Sequence, residues 1–209
     1  MHLLALYATT VLSGFCMMAL EIMGGRYLYP TFGSSVDVWA AIISVFILSL
    51  SVGYWLGGRI ADKSTTNIPL GWVILIAGLF YLLLPTYARP FCGALGTEIH
   101  NARAGALLPC LVLFLPPSLL LGCVSPMLVK LAFTTSAKVG RAAGTLFAVG
   151  NVGSVLGVLV ADYVLLSLFN LNTSILAMGV VLVLTGLAHL SLRLRAAPMP
   201  APAIAEPTP

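Results

Sequence analysis

Charge is scarce in this sequence. Of 209 residues only 8% are Asp, Glu, Lys or Arg, while 60% are hydrophobic and the mean hydropathy is +1.07. A soluble fold cannot bury that much apolar surface, and the few polar residues could not cover it. The bilayer must therefore be the solvent for most of the chain. The net charge is only +4, and no basic face with interleaved aromatics occurs, which argues against a nucleic-acid partner. Cysteine is sparse as well. None of Cys16, Cys92, Cys110 and Cys123 forms a CxxC pair, so small packing residues are the better reading. His2, His100 and His189 are scattered without ligand spacing, and neither a metal site nor a cofactor is expected. No Lys or Arg precedes the first apolar run and no small-residue cleavage site follows it. The N-terminus therefore reads as a retained span, not a removed signal peptide.

What is present is a series of six apolar runs, each near the roughly 20 residues a helical span needs. They cover about Leu3–Met23, closed by Gly24-Gly25, then Val38–Ile60, Ile68–Tyr87, Ala106–Phe133, Gly140–Leu168 and Ser174–Leu192. Residues 1–195 form the transmembrane domain, and the Pro/Ala-rich stretch 196–209 is expected to be a disordered cytoplasmic tail. The segment between Arg89 and Arg103, with Glu98 and His100, is expected to cap the outer surface. With the N-terminus inside, Arg59, Lys63, Lys130, Lys138, Arg141, Arg193 and Arg195 are cytoplasmic, whereas Arg26, Arg89 and Arg103 lie opposite. That bias predicts both termini in the cytoplasm of a bacterial inner membrane. Tyr27, Tyr29 and Trp39 then form an outer aromatic belt.

Small residues recur every four positions in two runs: Ser49, Gly53 and Gly57 in the second, Gly153, Gly157 and Ala161 in the fifth. Such stripes let helix backbones approach closely. Gly57, Gly58 and Asp62 belong to a loop motif at the inner end of the second span, where Asp62 and its basic neighbours lock helix ends. The fourth run holds Pro109, Pro116, Pro117 and Pro126 and is predicted to be kinked or broken, because proline removes a hydrogen bond and clashes with the preceding turn. A broken helix serves either packing or a site.

Ionisable groups inside such runs are costly and need a partner or a purpose. Glu21 shares a helix face with Gly14, Met18 and Gly25. Arg26 lies just beyond and either pairs with Glu21 or reaches the headgroups. In the fifth run Asn151, Ser154 and Asp162 form one polar strip, since eleven residues at 100° come within about 20° of three turns. Such a strip must face protein or water. Glu21 and Asp162 are expected to be sheltered together and to supply negative charge, with Arg26 as counter-charge or gate. Asn151 and Ser154 would give hydrogen bonds, and Trp39 and Tyr54 complete the candidate binding residues.

The combination Ala19-Leu20-Glu21-Ile22, Arg26, Pro30, Phe32-Gly33-Ser34, Val38-Trp39, Gly53-Tyr54 and Gly57-Gly58-Arg59-Ile60-Ala61-Asp62 resembles the membrane half of the fused, membrane-bound spermidine synthase-like proteins. Pro116-Pro117, Leu121-Gly122, Ser125-Pro126, Val139-Gly140-Arg141 and Asn151-Val152-Gly153-Ser154 extend the likeness to about residues 10–170. The loop motif is similar to that between the second and third helices of major facilitator transporters. The resemblance implies an all-α bundle like half of such a transporter, acting on a polyamine-like cation. The fused proteins carry a soluble aminopropyltransferase-like domain after the membrane half. No Gly-rich nucleotide turn after a strand occurs here, so synthase activity is not carried over. Three functions follow as expectations. The first is a unit that binds or translocates a small cationic metabolite, or works with a separate soluble synthase-like enzyme. The second is a membrane anchor or assembly subunit, and the third an intramembrane enzyme. A homodimer would reach the size of a two-bundle carrier.

Overall fold

A computed structural model describes residues 2–64, 66–98, 102–132 and 139–192. Their helices are α1 (His2–Phe32), α2 (Val36–Lys63), α3 (Ile68–Glu98), α4 (Ala102–Leu113), α5 (Leu115–Ala132), α6 (Val139–Val160), a π turn (Ala161–Leu165), α7 (Leu166–Leu168) and α8 (Leu171–Leu192). Six segments among the described residues are long and apolar enough to cross a membrane. The chain is an all-α polytopic membrane protein. The 196–209 tail, Lys138, Arg193 and Arg195 lie outside the described residues, as does His100.

Two expected boundaries are corrected. Gly24-Gly25 does not close the first span, because α1 runs unbroken to Phe32. The pair instead makes a notch: a methyl on Gly24 would lie 3.0 Å from the ring of Phe114. The chain turns only at Gly33, whose φ of +76° favours glycine. The Arg89–Glu98 part of the expected cap is helical and continues α3 past Pro85 and Pro90. Ser35 caps α2, accepting a 3.4 Å hydrogen bond from the Val38 N–H.

The fourth span is broken as the prolines require. α4 and α5 meet at Phe114, with Pro116 and Pro117 in the first turn of α5, where their missing N–H groups leave the carbonyls of Val112 and Leu113 without helical donors. Helical bonds persist on either side, from the Phe114 N–H to Cys110 O at 3.0 Å and from the Ser118 N–H to Phe114 O at 3.1 Å. The junction is therefore a kink. It drives the fully buried Phe114 ring onto Gly24 and to 6.0 Å from the Phe46 ring.

Three helix pairs build the bundle. α1 and α6 run parallel, with Gly14 on Gly150, Val11 on Gly153 and Phe15 on Gly157. α2 and α5 are also parallel: a methyl on Gly53 would meet Leu119 O at 2.5 Å, and one on Gly57 would meet Cys123 O at 2.5 Å. α3 and α8 are antiparallel, with Gly71 against Gly186 and Gly78 against Gly179. Exchanging the first three spans for the last three carries the α1–α6 pair onto the pair of the second and fourth spans, and the α3–α8 pair onto itself. The helix pairing is thus symmetric under that exchange. Gly58, its neighbour in the loop motif, makes no such close approach, since nothing lies within 4 Å of its missing side chain.

Candidate membrane cavity

A cavity of about 270 Å³ lies between α1, α2, α5 and α6. At ~30 Å³ per water it would hold about nine waters, the volume of a small metabolite. It exists because α6 presses its glycine face on α1, leaving the neighbouring face of α6 to stand off from α2. Apart from an edge-on contact between the Tyr54 and Phe147 rings, with centroids 6.5 Å apart, α2 and α6 stay apart.

The α1 wall presents Thr10, Ser13, Gly14, Met17 and Met18. Thr10 Oγ1 donates back to Leu6 O at 2.9 Å and Ser13 Oγ to Thr10 O at 3.0 Å, so both hydroxyl oxygens remain acceptors toward the cavity. Tyr54 comes from α2, Ser125 from α5, and Asn151 and Ser154 from α6. These four side chains make no hydrogen bond among the described residues, leaving donors and acceptors of both kinds to the cavity. The remaining wall is apolar, including Leu50, Leu121 and Leu146. Methionines bring adaptable, polarisable surface.

Of the residues that the sequence singled out for binding, the structure brings Tyr54, Asn151 and Ser154 together. Four others are placed elsewhere. Glu21 is half-buried, one turn beyond Met18 on the same face of α1. It makes neither a hydrogen bond nor an ion pair with another described residue, and Arg26 does not fold back to it. Since α1 is unbroken at Gly24-Gly25, Arg26 stays on the helix surface, exposed. Asp162 corrects the expectation of a shelter shared with Glu21. It is exposed on this chain, not sheltered in the bundle, because Ala161 takes the α1-facing position and the next residue falls about 100° further round. The π turn begins there, and beyond it the Ser174 hydroxyl shares its one proton between Leu165 O at 3.3 Å and Asn170 O at 3.2 Å. Trp39 is not a cavity wall. It lies eleven residues before Leu50, about 16 Å along α2, and packs on Tyr29 with ring centroids 6.1 Å apart.

Sequence reasoning missed Thr10 and Ser13. Their signal was present, since Thr10, Gly14, Met18 and Glu21 follow one another at helical spacing. It also missed a buried polar cluster joining α1, α3 and α8. Thr9 Oγ1 donates to Ala5 O at 2.8 Å, so it must accept from His189 Nε2, also at 2.8 Å. His189 Nδ1 is then an acceptor, facing Asn67 Nδ2 at 3.5 Å, while that amide donates to His189 O at 2.7 Å. No spacing rule links positions 9, 67 and 189.

At the same end of the bundle, exposed Asp62 pairs with Lys130 at 3.2 Å, linking α2 to α5, and Arg59 stacks over Trp55 at 4.6 Å. No group of His, Cys, Asp and Glu among the described residues has metal-binding geometry. No family model matches the chain, and neither a curated protein nor a solved structure matches it.

Proposed function

We propose that the chain is an integral membrane unit that binds a small cationic, polyamine-like metabolite in the four-helix cavity and passes it across the bilayer, alone or beside a separate soluble synthase-like enzyme. Both termini face the cytoplasm of a bacterial inner membrane, so that Glu21 and Asp162 lie toward the outer side. One observation carries the reading: four polar side chains without hydrogen-bond partners among the described residues line a partly open space between four helices, and Glu21, a carboxylate without an ion pair among those residues, stands one turn above it. A carboxylate at that depth is costly unless a positive charge or a proton visits it. The resemblance of residues 10–170 to the membrane half of spermidine synthase-like proteins points to the same ligand class.

The cavity can be probed without knowing the ligand. Ser154→Cys places a thiol in its wall, and the four native cysteines are buried. An ammonium-bearing methanethiosulfonate should modify that thiol several-fold faster than a sulfonate-bearing one, after correction for their reactivity with a free thiol. Glu21→Gln should abolish the preference. Equal rates for the two reagents in the parent Ser154→Cys protein would refute a cation site.

A further inference from the structure

The α6 face beyond the cavity is the least covered surface of any span. Val152, Val155 and Tyr163 are 59%, 58% and 73% exposed. An apolar face of this kind is ordinary against lipid, but this one also carries Asn151 and Asp162, both exposed. On the Ala143–Leu168 span, Asn151 lies about 7 Å and Asp162 about 10 Å from the midpoint, both inside the ~15 Å half-thickness of the hydrocarbon layer. Neither has a hydrogen-bond or ion-pair partner among the described residues. Asp is too short to reach the headgroups from there as Lys or Arg can. Lipid therefore cannot be the neighbour of this strip.

The cavity points the same way. Tyr54, Phe147 and Asn151 line it and are also exposed, so its mouth opens sideways between α2 and α6, onto the same face. We propose that a second copy of this chain covers that face, joined about a two-fold axis along the membrane normal, and that the binding site is complete only in this dimer. A two-fold along the normal sets each residue opposite its own counterpart at equal depth. Asn is the side chain suited to that place, because pairing with its own copy uses one N–H and one lone pair of its amide and leaves a second of each to the cavity. Two Asp162 carboxyls brought close cannot both be ionised without a proton or cation between them. They would supply the outer negative charge that one chain exposes without shelter. The role given to Asp162 rests on the cation reading above; the dimer does not.

Disulfide cross-linking of the full chain in native membranes tests this. Val155→Cys, treated with copper phenanthroline, should give a band of twice the monomer mass, whereas Leu184→Cys, equally exposed on α8, should not. Adding Asn151→Leu should reduce the Val155→Cys dimer about threefold, the size of an average side-chain hydrogen bond in a membrane. Failure of Val155→Cys to cross-link, equal cross-linking at Leu184→Cys, or a band of another mass, meaning an unlike partner, would overturn the proposal. A dimer that forms while the Ser154→Cys thiol shows no charge preference would retain the assembly and remove the cation.

Discussion

Glu21 and His189 show two ways in which a polar residue survives in a span. His189 is fully matched at its ring: Thr9 accepts from Nε2 and Asn67 faces Nδ1, so three helices are pinned by side chains with no other outlet. Removing the ring leaves the Asn67 amide facing a void. His189→Ala should lower stability by about 1–3 kcal/mol, read as an earlier thermal transition of the purified protein in detergent. Glu21 makes no such bonds among the described residues, so its removal should cost little stability and should act on the ligand. Glu21→Gln should keep the melting temperature and lose uptake of a labelled diamine into proteoliposomes by tenfold or more, a change equivalent to about 1.4 kcal/mol of lost cation attraction. Full uptake by the variant would place the charge outside the transport path.

Elements meet here through missing side chains. Gly157 lies under the Phe15 carbonyl and Gly153 under that of Val11, so any β-carbon pushes the α1 and α6 backbones apart. Gly157→Leu should destabilise by about 1–3 kcal/mol or more, and should also distort the cavity wall at Ser154. Gly58→Ala is the internal control: open space surrounds it, and alanine suits a helix better, so stability should be unchanged or slightly raised. At the α4–α5 kink the Phe114 ring fills the space above Gly24, and Phe114→Ala should cost about 3–5 kcal/mol by leaving a buried void. Thermal scans of the three variants side by side would rank them; a harmless Phe114→Ala would mean that the kink does not depend on its ring.

For the molecule as a whole, the prediction is of membership and orientation. The six spans among the described residues put Leu3 and Leu192 on one side, and the Thr9–His189 contact joins the two helices there. If that side is the cytoplasm, as proposed, a cytoplasm-dependent reporter fused at either end should be active and a periplasm-dependent one silent; the reverse result would invert the proposed orientation. The Asp62–Lys130 pair, at 80% and 42% exposure, is too wet to matter greatly, and breaking it should cost no more than about 1 kcal/mol.

The six spans, the kinked fourth helix and the glycine seams of α2 and α6 were legible in the sequence because each is a local matter, whereas the α3–α8 seam of Gly71, Gly78, Gly179 and Gly186 was not drawn from it. Hydropathy over 20 residues decides what enters a bilayer, proline breaks the helix it occupies, and glycine every four residues leaves a groove on one side. Which grooves meet which was not legible, because parallel and antiparallel partners look alike from a single helix. Only the packing of α6 on α1 decided that Tyr54, Asn151 and Ser154 share a cavity, that Glu21 stands above it and that Asp162 turns outward. The likeness of helix spacing that grouped Asp162 with Asn151 holds along α6, but a strip's direction is fixed by the neighbour its helix chooses, and that choice belongs to the whole bundle.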